Sequence, residues 1–402
     1  MIGGYGGMFI VGIDIAKRNH EVTVITWEGK VVCKAFRIPN SCTGYNYMLE
    51  RLGKLTNLKG QFVFAMESTA HYWLALYTRL KKEGYRVVVL NPIQTHTMRE
   101  MYIRKAKTDA RDSFVIAEVI RFGRYAASDI PQEKLLALKE LCRNRSYLID
   151  HASDLKRKTV ALLDRVFPEY ETQFETIFCK SSLAVLTKYP TPQKLANAHL
   201  SKLTDILSTS SNGHFGEWKA REMRELARHS FGVEDCEGVY STLILMLLEQ
   251  IRTLQEKCSM LETKIGELLQ QFQTTLTTIP GIGPILAAII LSEIGDISRF
   301  PSSDKLAAYI GVDPSVNQSG EFVGTHVHMS KRGSPYLRRA VWMASVVAVQ
   351  RDPMFKAYYE KKAAEGLRYM NIIGHVTKKM TAVIYAIMRD NKAYTPIMPS
   401  AA

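Results

Sequence analysis

The hydrophobic and polar positions of residues 8–125 alternate between two periods, one typical of strands and the other of helices. Apolar runs predict a strand through Asp14 and further strands at 21–27, 31–38, 61–66 and 86–90. Longer periodic segments predict helices at 45–55, 69–83 and 105–121. Short turns separate the first three strands, so we expect these strands to form an antiparallel meander.

The order of these elements, βββαβαβα, is that of the RNase H-like fold, a mixed sheet flanked by helices. The predicted fold class is therefore α/β for an N-terminal domain at 8–130 and mainly α-helical for the remainder of the chain.

The region after residue 130 begins with a long helix, predicted at 132–166, and later carries the clearest periodicity of the chain. Apolar residues there alternate spacings of three and four, which predicts a coiled coil over 241–270. The positions of this seam are Ile244, Leu247, Ile251, Leu254, Cys258, Leu261, Ile265 and Leu268. The partner is either the 132–166 helix of the same chain or a second copy, and we favour the second copy.

The segment after the seam, 280–284, has the sequence PGIGP and resembles the hairpin of helix-hairpin-helix motifs. Gly281 and Gly283 would let backbone N–H groups approach a phosphate at a helix N-terminus. The alternative is a tight turn between helices that needs glycine for a positive φ. We favour phosphate contact and assign the segment to a C-terminal domain at 271–395.

The charge of the chain adds a polyanionic partner to this picture. The formal net charge is +14 at pH 7, and residues 321–402 hold 13 Lys and Arg against 5 Asp and Glu. Because every apolar run is shorter than the roughly 18 residues that span a bilayer, we expect no membrane partner. Six cysteines without CxxC spacing predict neither a zinc site nor a disulfide framework, and indicate a cytoplasmic protein.

Several groups of basic residues are candidates for contact with the phosphates of nucleic acid. Lys17 follows the first strand, and the 132–166 helix opens a region at 131–240 that we interpret as RNA-binding, with an ordinary solvated helix face as the alternative. The helix carries Arg143, Arg145, Lys156, Arg157 and Lys158. A further phosphate-binding surface is predicted at Lys331, Arg332, Arg338 and Arg339.

Four carboxylates of the N-terminal domain are predicted to meet at one edge of the sheet. Asp14 lies on the first strand, Glu67 follows the fourth, and Asp109 and Asp112 share a face at the start of the last helix. Four carboxylates remain ionised together only with cations, so we expect one or two Mg²⁺ (or Mn²⁺) ions. The alternative for the two aspartates is that they only cap the helix N-terminus.

A loop serine near the C-terminal basic residues is a candidate nucleophile toward a phosphodiester. Ser315, Ser319, Ser330 and Ser334 all lie in this region, and their spacing alone does not choose among them.

Four ordered segments resemble the N-terminal domain of the DEDD transposases of the insertion-sequence one-ten family, which are described as bridge-RNA-guided recombinases. The segments are VGIDIAK at 11–17, AMESTAHYW at 65–73, NPIQTH at 91–96 and KTDARDS at 107–113. The resemblance implies a RuvC-like domain in which Asp14, Glu67, Asp109 and Asp112 form the catalytic tetrad. It also implies that Ser319, in the Ser-Gly step before MSKRG and LRR, is the nucleophile.

The family resemblance further implies a transposase that cuts and rejoins DNA to move its own insertion sequence in the prokaryotic cytosol or nucleoid. Its expected partners are donor and target DNA, a non-coding bridge RNA, and further copies of the chain in a homodimer or homotetramer. The tetrad of one subunit would then meet the serine of another. Two alternatives remain: a RuvC-like, structure-selective endonuclease that uses water as nucleophile, and a nucleic-acid-binding scaffold without chemistry.

Overall fold

The computed structural model describes residues 7–68, 70–100, 109–123, 125, 133–313, 318–319, 322–323 and 329–396, and for residues 93, 109–110, 318–319 and 322–323 it describes the backbone alone. The chain divides into two compact units, Met1–Ile130 and Pro131–Ala402. In the part of the chain that is described, no helix has both the length and the apolar character needed to cross a membrane.

The first unit is built on a five-stranded mixed sheet with strand order β3-β2-β1-β4-β5. The strands are β1 (Phe9–Asp14), β2 (Asn19–Thr26), β3 (Val31–Pro39), β4 (Phe62–Glu67) and β5 (Arg86–Leu90). β1, β2 and β3 pair antiparallel, which confirms the predicted meander, whereas β1, β4 and β5 run parallel. This arrangement is the mixed sheet expected of an RNase H-like domain.

The described residues of this unit also form four helices, and one of them was not predicted. They are α1 (Cys42–Gly53), α2 (Trp73–Lys82), α3 (Pro92–Glu100) and α4 (Asp109–Phe122). α1, α2 and α4 correspond to predicted helices, although the part of the third prediction before residue 109 lies outside the described residues. α3 is new: the Asn91-Pro92 step ends β5 and at the same time begins a helix.

The sheet separates two apolar cores, because successive strand residues face opposite sides. Val11 and Ile13 of β1 face the core that α1 and α2 complete, whereas Ile10 faces the core that α4 completes. Gly12 faces α4 as well. A Cβ atom on Gly12 would lie 2.1 Å from the carbonyl oxygen of Ser113, so only glycine lets α4 pack this closely on β1.

The described residues of the second unit form mainly helices, together with one short hairpin. Its helices are α5 (Glu133–Val166), α6 (Lys180–Lys188), α7 (Pro192–Ala196), α8 (Leu200–Ser210), α9 (Glu217–Arg228), α10 (Val239–Leu269), α11 (Pro284–Ile294), α12 (Ser303–Ile310), α13 (Pro335–Arg351), α14 (Pro353–Ala364) and α15 (Tyr369–Asp390). The hairpin consists of β6 (Gln318–Ser319) and β7 (Phe322–Val323).

The long helices α5 and α10 pack against each other in an antiparallel pair that connects two apolar cores. At one end, Leu163 of α5 and Ile244 of α10 enter a core with α6–α9. At the other end, Cys142 of α5 and Ile265 of α10 enter a core with α11–α15. Every residue of the predicted heptad seam is buried or half-buried. The seam therefore has a partner within the chain, the 132–166 helix that was one of the two alternatives, and pairing with a second copy stays a prediction.

Candidate active site

Asp14 and Glu67 are brought together by the register of two parallel strands. Ile13 of β1 pairs with Met66 of β4, so the next residues, Asp14 and Glu67, lie side by side at the carboxyl edge of the sheet. Since Ile13 and Met66 face the α1–α2 core, the two carboxylates point to the opposite face, which α4 covers. Glu67 is buried and Asp14 is half-buried.

Asp112 comes to this edge on α4. Its carboxylate is buried, and two contacts fix the helix that carries it: the close approach to Gly12 and a buried 2.7 Å hydrogen bond between the hydroxyls of Thr23 and Ser113. Asp109 is the first residue of α4, three residues before Asp112. The backbone therefore puts both aspartates on one face of the helix, as predicted, and the side chain of Asp109 lies outside the described part.

Two residues of α3, which sequence reasoning missed, complete the site. Arg99 Nε donates to Asp112 Oδ1 at 2.9 Å, and Arg99 Nη2 lies 3.5 Å from Glu67 Oε2. The hydroxyl of the fully buried Thr95 lies 2.9 Å from the same Glu67 oxygen and 2.9 Å from the carbonyl oxygen of Pro92, and these two acceptors share its one hydrogen. The guanidinium therefore links two carboxylates that would otherwise repel each other. Pro92 was the available signal, since proline favours the first position of a helix.

The chemistry of these side chains fits a divalent cation, because Asp14, Glu67 and Asp112 offer only carboxylate oxygens at one edge of the sheet. Within the described residues, however, no group of three or more acidic, histidine or cysteine side chains is close enough to hold one ion. Glu67 and Asp112 are arranged around the guanidinium of Arg99 instead. A cation at this edge would therefore have to compete with Arg99 for the oxygens of Glu67 and Asp112.

Ser319, the predicted nucleophile, belongs to the second unit. It is the last residue of β6, and its backbone pairs with that of Phe322 in β7. Its side chain lies outside the described part, as does most of the surrounding loop. Ser330 is held in place, because its hydroxyl hydrogen bonds to the carboxylate of Asp313. Ser334 is the N-cap residue of α13 and accepts a hydrogen bond from the Leu337 amide.

Four of the predicted nucleic-acid ligands are engaged within the second unit. Their partners are Glu293 for Arg143, Glu262 for Arg145, the carbonyl oxygens of Ile310 and Arg332 for Arg338, and Asp150 for Arg339. Three of these arginines connect α5 to α10, α11 and α13, whereas Arg338 connects α13 to the end of α12 and to the loop that follows it. Arg143, Arg145 and Arg338 thus contribute to packing within the unit, whereas the ion pair of Arg339 with Asp150 is exposed. Contact of these four arginines with nucleic acid stays a prediction.

Glu293 shows how strongly one of these arginines is held. Its carboxylate is buried and accepts two hydrogen bonds from Arg143, at 2.6 and 3.1 Å, while Lys139 lies 3.3 Å away. Burial by itself opposes ionisation, but the Arg143 hydrogen bonds and the charges of Lys139 and Arg143 outweigh it and lower the pKa of Glu293. Arg143 is thus the counter-ion of a buried carboxylate.

The other predicted basic ligands are more accessible. Lys17, Lys158, Lys331 and Arg332 are exposed, and the described part of the chain gives their side chains no ion pair. Arg157 pairs with Asp154 on the same helix, and the Lys156 ammonium lies 5.2 Å from the centre of the Phe178 ring. These residues remain candidates for nucleic-acid contact.

The loop that carries Lys331 and Arg332 is tightly fixed to the end of α12. Lys331 has a left-handed backbone with φ of 52°, and a Cβ atom on Gly333 would lie 1.9 Å from the carbonyl oxygen of Tyr309. Lys331 also donates its amide hydrogen to Gly311 at 3.1 Å. The two exposed cations are therefore presented by a backbone with little freedom.

The two glycines of the PGIGP segment have different surroundings. Gly281 has φ of 92°, and a Cβ atom there would lie 2.5 Å from the carbonyl oxygen of Ala344 in α13. Gly283 is exposed and is the N-cap residue of α11. The turn alternative thus accounts for Gly281, whereas phosphate contact at Gly283 stays a prediction.

The sequence of the chain matches two family models and several known proteins. A family model described as Transposase matches residues 11–168, and a second, described as Transposase IS116/IS110/IS902 family, matches residues 273–360. The chain is 26% identical to the uncharacterized 44.8 kDa protein of insertion element IS116 from Streptomyces clavuligerus, over 97% of this chain and 96% of that protein.

Two further relatives have more specific names. The chain is 23% identical to the pilin gene-inverting protein of Moraxella lacunata, over 96% of this chain and 97% of that protein. It is 22% identical to the transposase for insertion sequence element IS1111A of Coxiella burnetii, over 82% of this chain and 74% of that protein. The segments that the two family models match include the carboxylates of the first unit and the region of α11–α14 in the second.

Proposed function

Because the chain belongs to the IS116/IS110/IS902 family of transposases, which cut and rejoin DNA, we propose that it moves its own insertion sequence with a carboxylate-held divalent cation and a nucleophilic serine. The observation that carries this proposal is the pairing of β1 with β4, which sets Asp14 beside Glu67 on the face that α4 covers. DEDD transposase domains typically use divalent metal ions. For this chain we propose Mg²⁺ or Mn²⁺.

Asp14, Glu67, Asp109 and Asp112 are the proposed ligands. A divalent cation bound by them would neutralise the charge that develops on the phosphate oxygens while the phosphodiester is displaced. Thr95 has a positioning role, because its hydrogen bond fixes one oxygen of Glu67. Burial of Glu67 and Asp112 keeps bulk water from screening the charges at the site.

Ser319 is the proposed nucleophile. Its Oγ forms a bond to the scissile phosphorus, the bond from that phosphorus to one sugar oxygen breaks, and the proton lost by the serine balances the proton gained by the released hydroxyl. In the reverse sense, a DNA hydroxyl attacks the phosphoserine and frees Ser319. Each cleaved phosphodiester is thereby replaced by a phosphoserine ester and then by a new phosphodiester, so rejoining needs no external energy source.

The proposed partners are donor and target DNA and a bridge RNA, bound by a homodimer or homotetramer. The net charge of +14 supports polyanion binding. Basic side chains suited to backbone contact are the half-buried Lys156 and the exposed Lys17, Arg157, Lys158, Lys331 and Arg332. Base pairing with the RNA would then supply the choice of sequence.

A strand-cleavage assay tests this proposal. The substrate is plasmid DNA with the sequences that flank the gene, incubated with the flanking transcript and Mg²⁺. We expect Asp14→Asn and Ser319→Ala each to lower the cleavage rate by about 10³-fold or more, because each removes a group that acts in the displacement itself.

Ser315→Ala is the matched control, since it removes a serine that lies four residues earlier in the sequence. The proposal requires this variant to cleave and rejoin like the wild type. If Ser319→Ala still cleaves while Asp14→Asn does not, the protein is a metal-dependent endonuclease that uses water, and the serine assignment is wrong.

A further inference from the structure

A cavity of about 220 Å³ lies in the first unit, on the side of the sheet opposite the carboxylates. The start of β2, the end of β3, the start of α1 and one face of α2 line it. We propose that this cavity binds a backbone phosphate of the DNA strand that is being cut, an inference that rests on the proposed function in taking DNA as the substrate.

His20 supplies the most specific feature of the cavity. The side chain is 2% exposed, and its Nδ1 accepts a 3.3 Å hydrogen bond from the backbone N–H of Ala16. Burial lowers the pKa of His20 and outweighs the Asn40 side chain, which acts in the opposite direction, so the ring is neutral at pH 7 and carries one proton. Since Nδ1 is the acceptor, that proton is on Nε2. Nε2 is buried and makes no hydrogen bond of normal length to any residue that the structure describes, so its N–H can still donate to an acceptor.

The start of α1 adds further donors at the same cavity. Ser41 is the N-cap residue, and its hydroxyl oxygen accepts a hydrogen bond from the amide of Gly44. The first N–H groups of any α-helix lack partners within the helix, and the helix dipole favours an anion beside them. The first turn of α1 contains no acidic residue that would fill this position.

Arg79 of α2 provides a positive charge at the cavity. Its guanidinium lies 4.7 Å from the centre of the Tyr45 ring, and its Nη1 is 3.6 Å from the sulfur of Cys42. Glu83 lies 3.5 Å from its Nε, at the protein surface. Because both members of that ion pair are partly exposed, water screens Glu83 and leaves the guanidinium available to a second anion.

These groups together define the chemistry of the ligand. The cavity offers three hydrogen-bond donors: the imidazole N–H of His20, the helix N-terminus at Ser41 and the guanidinium of Arg79. The guanidinium carries a full positive charge, and the helix N-terminus carries a partial one. A ligand must therefore be rich in acceptors and negatively charged. A phosphate oxygen meets both requirements, whereas a metal cation would find no carboxylate or free imidazole lone pair among the residues that line the cavity.

The position of the cavity relates it to the proposed active site. Asp14 pairs with Glu21 across β1 and β2, and His20 directly precedes Glu21. The cavity and the carboxylates thus lie at one edge of the sheet but on opposite faces. The exposed Lys17 belongs to the short segment between Asp14 and His20. A DNA strand that crosses this edge would present one phosphate to the carboxylates and another to the cavity.

The experiment measures binding of labelled duplex DNA from the end of the element, with the full-length protein in EDTA so that chemistry plays no part. We expect Arg79→Gln to weaken binding about tenfold, as for loss of a charged hydrogen bond, and to lower the slope of log Kd against log salt by about one. Arg79→Lys should recover most of the affinity.

Arg51→Gln is the matched control. Arg51 also stacks on an aromatic ring, 4.3 Å from the centre of Phe36, but it does not line the cavity. This variant should bind DNA as the wild type does. Equal weakening by Arg79→Gln and Arg51→Gln would show only a general loss of charge and would overturn the proposal.

A scan of single methylphosphonate linkages then locates the phosphate. One neutral linkage should weaken binding of the wild type and have no effect on Arg79→Gln, because the contact is already lost. Equal penalties in both proteins at every linkage would overturn the proposal. The proposal would also be overturned if inorganic phosphate stabilised the wild type at constant ionic strength while Arg79→Gln bound DNA as the wild type does. The same conclusion would follow if Arg79→Gln weakened the binding of RNA and left the binding of DNA unchanged. These experiments measure binding and require no cleavage. They therefore test the cavity even if Ser319 is not the nucleophile.

Discussion

Arg99 occupies the position where the proposed mechanism needs a cation. Its guanidinium contacts Asp112 at 2.9 Å and lies 3.5 Å from Glu67, so it offsets the repulsion between two buried carboxylates. A divalent ion would provide the same compensation with more charge. A divalent cation bound at this edge would therefore compete with Arg99 for the same carboxylate oxygens.

Replacement of Arg99 tests whether its guanidinium competes with a divalent cation for Glu67 and Asp112. In Arg99→Gln, Glu67 and Asp112 lose the guanidinium charge that both contact, so their mutual repulsion increases. We therefore expect a lower Tm in EDTA, a larger rise in Tm on addition of Mg²⁺ and tighter binding of Mn²⁺. Thermal unfolding with and without Mg²⁺, and Mn²⁺ titration by electron paramagnetic resonance, measure these effects.

Lys54→Gln serves as the control, since Lys54 pairs with Glu50 in an exposed ion pair of small energetic value. It should respond to metal as the wild type does. If Mg²⁺ raises the Tm of Arg99→Gln by no more than that of the wild type, Arg99 does not compete with the ion.

The sequence could predict the carboxylates of this site and not their partners. Asp14 and Glu67 stand out because each ends an apolar strand, and Asp112 because it lies near the start of a periodic helix. Arg99 and Thr95 lie in a polar segment without clear periodicity, so no hydrophobic pattern marks α3. Only their contacts with Glu67 and Asp112 reveal that they belong to the site.

At the scale of elements, the contact of β1 with α4 sets the geometry of the carboxylate edge. Gly12 allows the backbones to approach so closely that a Cβ atom would lie 2.1 Å from Ser113 O and 2.8 Å from Ala117 N. Both contacts are with backbone atoms, which cannot rotate away as a side chain would. Any residue larger than glycine must therefore move α4, and Asp112 with it.

Gly12→Ala tests this contact. We expect it to lower the free energy of unfolding by about 1–3 kcal/mol or more, as overpacking does, and to weaken metal binding because Asp112 shifts. Urea unfolding of the full-length protein measures the first effect. Gly60→Ala is the control, because a Cβ atom on Gly60 would meet no atom within 4 Å. Equal stability of the two variants would contradict the proposed role of Gly12.

The long helices show what periodicity can and cannot predict about elements. The heptad seam of α10 and the apolar positions of α5 were evident from spacing, and α5 begins within one residue of its predicted start. Spacing does not distinguish a partner in the same chain from one in a second copy, because both bury the same positions. Likewise, positive charge on α5 did not reveal that Arg143 and Arg145 face Glu293 and Glu262, which lie far away in sequence.

At the scale of the whole molecule, the proposed chemistry is shared between two compact units. The carboxylates lie in Met1–Ile130, and Ser319 lies in Pro131–Ala402. Similarity to proteins of insertion elements extends over nearly the whole chain, so both units belong to the transposase. The central claim is that the serine of the second unit forms a covalent bond to DNA and that the carboxylates of the first unit are needed for it.

Mass spectrometry of the reaction intermediate tests this claim most directly. The protein is incubated with element-flanking DNA, the flanking transcript and Mg²⁺, quenched during the reaction, and digested with nuclease and protease. We predict a nucleotide attached through phosphate to the peptide that contains Ser319, and its absence in both Ser319→Ala and Asp14→Asn. DNA that is cut while the Ser319 peptide remains unmodified would contradict the account and identify water as the nucleophile.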